Sequence, residues 1–158
     1  MRADVSSRYH GERGYGENFL NHLESANEII EQYLETLKVN IMSKEIGDVL
    51  ELTTPFLDHS NDSIQVYVSK SNRGCKVSDG GDTIRELRAF GRAFGIDIEK
   101  LQKITKNVLS GFGVTIKDDE LFILSDRVVV GSSIQLLIQA IITIGGIIKV
   151  WEIWERVK

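Results

Sequence analysis

The sequence predicts an α+β fold: a small antiparallel three-stranded meander plus a hairpin, packed by flanking helices. Three observations carry this. Apolar residues recur at three- and four-residue spacing from Glu17 to about Asn40, and again from Asp97 to Ser110. Between them, from Asp48 to Asp79, short runs of alternating polarity are separated by Gly, Asn and Asp. An uncharged stretch then closes the chain. Helical periods on both sides of a period-two block segregate helices from strands, which is the α+β pattern.

The elements follow in order. Residues 1–16 are polar and contain glycine with no periodicity, and are expected to form a flexible tail before a single domain, 17–158. In the helix expected over 17–40, Phe19, Leu20, Leu23, Ala26, Ile30, Tyr33, Leu34 and Leu37 share one stripe. The stripe is close to a heptad seam, so Leu34 and Leu37 are candidate contacts with a protein partner or a second copy. "DVLELTTPF" reads as a strand, with Pro55 near its end, where a missing N–H does least harm. "SIQVYVSK" is a second strand, with Ile64, Val66 and Val68 on one face. "SNRG" is a turn and "CKVSD" a short third strand. In "DGGD" the two glycines permit positive φ angles and a sharp turn. Thr83 and Glu86 fit a capping box at the start of a helix running to about Gly91. Asp97 caps the next helix, which Gly111 and Gly113 end. "GVTIKDDELFILSD" reads as a hairpin turning at Asp118-Asp119. The last helix spans 128–157.

The chain has 158 residues, 42% hydrophobic and 27% charged, which suits one soluble domain with a sizeable core. A net charge of −4 argues against a nucleic-acid binder on whole-chain balance. Cys75 is the only cysteine, which excludes an intrachain disulfide and a four-cysteine zinc site. From Val128 to Ile148 the 21 residues carry no charge, and Lys149, Trp151 and Trp154 follow. Length permits a membrane span. Gln135 and Gln139, with Ser132, Ser133 and Thr143, favour instead a buried or oligomer-forming helix, because glutamine is costly in hydrocarbon. Leu136 and Trp151 are its candidate partner contacts.

"TPFLDHSNDSIQVYV" followed by "GCKVSDGGDTIREL" resembles a family of small bacterial and phage proteins known as a domain of unknown function. The shared pattern is TPF-L-D-x-x-x-D-x-I-x-I-Y-V, a glycine turn, then (T/S)-D-x-G-x-T-I-x-x-L, over about residues 54–87. The resemblance implies a prokaryotic or phage origin and a cytoplasmic setting, and brings no established activity.

Two chemistries are written into the turns. The helix–strand order is similar to the core of PD-(D/E)XK nucleases, whose carboxylates hold Mg²⁺ or Mn²⁺ while a lysine serves the attacking water. Asp58, Asp62, Asp79 and Lys76 are the candidate catalytic residues. The acid two residues before the lysine is missing: Val68 precedes Lys70 and Gly74 precedes Lys76. A second reading joins Asp58, His59, Asp62, Asp79 and Asp82, in two turns lying side by side, as donors to a divalent cation. Aspartate in turns is more often structural, bonding nearby backbone. Arg85, Arg88 and Arg92 share one helix face and, with Lys100, Lys103 and Lys106, make a local basic surface for phosphate, nucleic acid or an acidic partner. The leading expectation is a non-enzymatic interaction or regulatory module acting through a protein partner or homodimer, without a cofactor. The alternatives are a divalent-metal nuclease, active or degenerate, and a phage-encoded inhibitor of a host defence enzyme.

Overall fold

The structure, a computed structural model, describes residues 26–72 and 74–157. The expected tail, 1–16, and the first nine residues of the expected 17–40 helix lie outside the described residues. The chain divides after Val39 into two compact units.

The first unit contributes α1, Ala26–Asn40. Ile29, Ile30, Tyr33 and Leu34 are exposed along it, and Leu37 is half-buried. Among its described residues it is an amphipathic helix with an open apolar stripe.

The second unit is one six-stranded antiparallel sheet carrying three helices. Its elements are β1 (Met42–Ile46), β2 (Val49–Leu57), β3 (Ser63–Ser71), β4 (Gly74–Ser78), α2 (Asp82–Ala93), α3 (Ile98–Gly111), β5 (Thr115–Lys117), β6 (Glu120–Ser125) and α4 (Val130–Val157). The strand order is β1-β2-β3-β4-β6-β5. The α+β class is as expected, but the sheet is larger than a meander plus a separate hairpin. β1 extends the meander to four strands, and β6 pairs with β4, fusing the hairpin into the same sheet. β1, "MSKEI", is exposed at every position, so it lacks the alternation that marks a half-buried strand.

Alternation sorts the rest. Ile64, Val66, Val77 and Leu121 point to one face and are buried there with Leu87 of α2, Leu101 and Leu109 of α3, and Leu137, Ile144 and Ile148 of α4. The other face carries Tyr67, Lys76, Ser78, Glu120, Phe122 and Leu124; Tyr67 stands opposite Ser78, and Ser78 opposite Phe122. The last helix begins with a 3-10 turn at Arg127–Val129 and meets the length and composition of a membrane span, as core helices also do. Its Leu137, Ala140, Ile141, Ile144 and Ile148 belong to the core. Leu136 lies on its exposed side, and Trp151 is partly buried against the core.

Pro55 sits in an irregularity where the β2–β3 register shifts between Thr53 and Leu57. A proline cannot donate to the ladder. The buried Thr54 hydroxyl takes over, donating to the Ile64 carbonyl at 2.9 Å and accepting from the Phe56 N–H at 3.4 Å. Thr54→Val keeps the shape and strands that carbonyl, so it should cost about 1–3 kcal/mol in urea denaturation, with Thr54→Ser recovering most of the loss.

Candidate functional site

Two turns build the site. The first, after β2, is tied by Asp58: its Oδ1 accepts from the N–H groups of Ser60 at 2.7 Å and Asp62 at 3.0 Å, while its own N–H donates to the Asp62 carbonyl at 2.9 Å. Asn61, at φ 66°, completes the reversal, a conformation Asn tolerates better than most residues. The turn leans on α4 at Gly145. A Cβ there would stand 3.1 Å from the His59 Cβ and 3.3 Å from its backbone nitrogen, closer than ordinary contact, so glycine admits the turn.

The second turn, Asp79 to Asp82, leads from β4 into α2. Gly80 and Gly81 have φ angles of 67° and 86°, as two glycines in this sequence allow. Gly80 also packs where a Cβ would come within 2.8 Å of the Tyr67 ring. The helix cap differs from expectation. Its N-cap is Gly81, and the capping work falls to Asp79, only 2% exposed. Asp79 Oδ1 accepts from the N–H groups of Gly81 and Leu121, both at 2.9 Å, and Oδ2 from Thr83 N–H at 3.0 Å. Glu86, expected to close a capping box with Thr83, faces His59 instead, with Oε2 at 3.6 Å from Nδ1.

The turns meet around a cleft of about 370 Å³ lined by Asp58, Asp62, Asp79, Asp82 and Glu86 with Thr53, Ser63, Gln65, Thr83 and the side of Ile141. Four of the five aspartate and histidine candidates thus share one cavity. His59 stands beside its lining. Glu86 was hidden by its assignment to a cap, although Asp82 and Glu86, four apart on a helix, necessarily share a face. Among the described lining residues there are five carboxylates and no lysine or arginine. Arg85 pairs with Asp82 at the rim. Burial, with the nearby charges of Asp58 and Asp82, pushes the Glu86 carboxyl above its ordinary 4.5, against the opposing pull of His59 and Arg85.

Lys76 is elsewhere. It projects from the opposite face of the sheet, where Nζ bonds Glu120 Oε2 at 2.6 Å and lies 5.3 Å from the centre of the Phe122 ring. Ser78 donates to the other oxygen of Glu120. Burial alone would raise the Glu120 carboxyl, but these hydrogen bonds and the lysine charge hold it below its ordinary value. Among the described residues, no three His, Cys, Asp or Glu side chains are placed to hold a metal ion together. The arginine face is largely self-paired: Arg88 grips Asp119 through both terminal nitrogens, Nη2 to Oδ1 at 2.7 Å, and Arg85 pairs with Asp82. Arg92 lines the same shallow groove as Arg85, Arg88, Asp118 and Asp119.

Two outcomes follow from this geometry. Asp79→Asn cannot satisfy all three N–H groups with a single acceptor oxygen. It should lower unfolding free energy by about 3 kcal/mol, read by chemical denaturation. Glu86 behaves differently. Its folded pKa lies above the unfolded one, so the native state holds the extra proton between them, and stability falls as pH rises from about 4.5 through the raised value. The melting temperature of Glu86→Gln minus that of the wild type should therefore grow from pH 4.5 to pH 7.

The family described as Domain of unknown function DUF1828 matches residues 54–144, more than half of the chain, and the chain belongs to it. No curated protein and no solved structure matches the chain.

Proposed function

We propose that this member of the DUF1828 family is a non-enzymatic protein-interaction module that takes a cationic side chain of its partner into the acidic cleft. The observation that carries this is the cleft itself: five carboxylates around one cavity, with no lysine or arginine in its described lining. Such concentrated charge in a concave, half-desolvated site raises the local concentration of cations and strengthens each contact. A guanidinium or ammonium group suits it better than a divalent ion. Hard ions need several oxygens converging at about 2–2.6 Å, whereas a guanidinium bonds carboxylates spread along a wall.

Geometry also bears on the nuclease reading. In-line attack on phosphate needs a cation beside the carboxylates, and Lys76 is committed to Glu120 across the sheet. Asp79 spends both oxygens on backbone N–H groups. These bonds speak against Lys76 and Asp79 in the roles that hydrolysis would give them. The exposed apolar side chains Leu34 on α1 and Leu136 on α4 supply further contact surface for a protein partner.

The test is titration calorimetry with an arginine-rich peptide. Wild type should bind it in a salt-sensitive manner. Asp62→Asn/Glu86→Gln should weaken binding at least tenfold while remaining folded. Glu45→Gln/Glu51→Gln, an equal loss of charge elsewhere on the sheet, should leave it nearly unchanged. Equal losses in the two double variants would reduce the effect to overall charge and refute a site.

A further inference from the structure

His59 is the histidine that, among the described residues, is set against the cleft from outside its lining. It is held in place by geometry: its backbone rests on Gly145, its side chain is 13% exposed, and Nδ1 points at Glu86 Oε2, 3.6 Å away. Its Nε2 lies 3.4 Å from the Ser60 hydroxyl. Glu86 in turn lines the cleft. The charged groups that face Glu86 are His59 and Asp58 from the first turn, and Asp82 and Arg85 from its own helix. α4 brings Ile141 and Gly145 to this corner.

We propose that His59 is a proton-operated counter-charge for the cleft, so that the module releases a cationic ligand on acidification. Imidazole is the side chain whose charge ordinarily changes between pH 5 and 8. Protonated, His59 offsets Glu86 and leaves the cleft one negative charge poorer toward a ligand. Neutral, it returns that charge. A unit charge a few ångströms from a partly exposed site changes affinity by roughly tenfold. Glu86, whose carboxyl burial pushes up, is the cleft group through which the His59 charge acts. Arginine, as at Arg85, keeps its charge across this interval. The choice of ligand rests on the cation-binding reading above; the proton coupling itself can be measured without any ligand.

The experiment is a residue-resolved NMR titration of the free protein from pH 5 to 8, paired with calorimetry using the arginine-rich peptide. In the wild type, the amide signals of Asp62, Ser63 and Thr83 should move with the His59 imidazole. In His59→Gln that movement should vanish. In Glu86→Gln the cleft amides should follow His59 much less, because the carboxylate that joins it to the lining is gone. Peptide affinity should drop about tenfold between pH 7.5 and 5.5 in the wild type and much less in His59→Gln. Cleft amides that ignore His59 in the wild type, or that follow it undiminished in Glu86→Gln, would overturn the proposal. Amides that follow His59 with no peptide binding at any pH would sustain the proton coupling and overturn the cationic ligand instead.

Discussion

The carboxylate of Asp79 is the interaction on which the second unit depends. It is buried at the junction of β4, β6 and α2, and its hydrogen bonds fasten all three together. The bond to Leu121 N–H joins the end of β4 to the start of β6, beside the reciprocal bond from Asp79 N–H to the Leu121 carbonyl at 3.1 Å. The bonds to Gly81 and Thr83 start α2 in the right direction. A helix start leaves N–H groups that need acceptors, and a negative acceptor there also meets the favourable end of the helix dipole. Buried charge is normally expensive, and three charge-assisted hydrogen bonds are what make it tolerable.

Fixing α2 in this way fixes the cleft. Asp82 and Glu86 stand four residues apart on α2, so the direction set by Asp79 decides where both carboxylates lie. The opposite wall is set independently by the Asp58 turn and its seat on Gly145. The two walls bring like charges together: burial pushes the Glu86 carboxyl up first, and the charges of Asp58 and Asp82 add to that push. Elsewhere the protein pairs its charges: Lys76 with Glu120, Arg88 with Asp119, Lys149 with Glu152. Within the cleft the relief is partial: Arg85 offsets Asp82, His59 faces Glu86, and backbone N–H groups satisfy Asp79.

Much of this architecture was legible from local chemistry. The double glycine gave a sharp turn with positive φ, Asp97 caps α3 by accepting from Glu99 N–H at 2.9 Å, and Asp118 and Asp119 take the left-handed conformations of a tight hairpin. Two aspartate-rich turns did come to lie side by side. What local chemistry could not show depends on distant partners. β1 has no apolar alternation because it is exposed on both faces at the sheet edge. That Asp79 also fastens β6 depends on Leu121, 42 residues later, arriving beside it. Lys76 looked available to the aspartates along the chain, yet strand alternation turns it to the other face, where Glu120 waits. The capping-box pattern at Thr83 and Glu86 is a local rule overruled by a better acceptor, Asp79, three residues before the helix begins at Asp82.

The central claim is that Asp79 builds the site instead of performing chemistry in it. Hydrogen exchange of the Gly81, Thr83 and Leu121 amides tests it most directly, since backbone groups bonded within the core exchange only through large-scale opening. The account predicts that all three exchange slowly and together, with protection close to that of the β4 and β6 ladder. Rapid exchange of Gly81 and Thr83, like any surface turn, beside a protected Leu121 would contradict it.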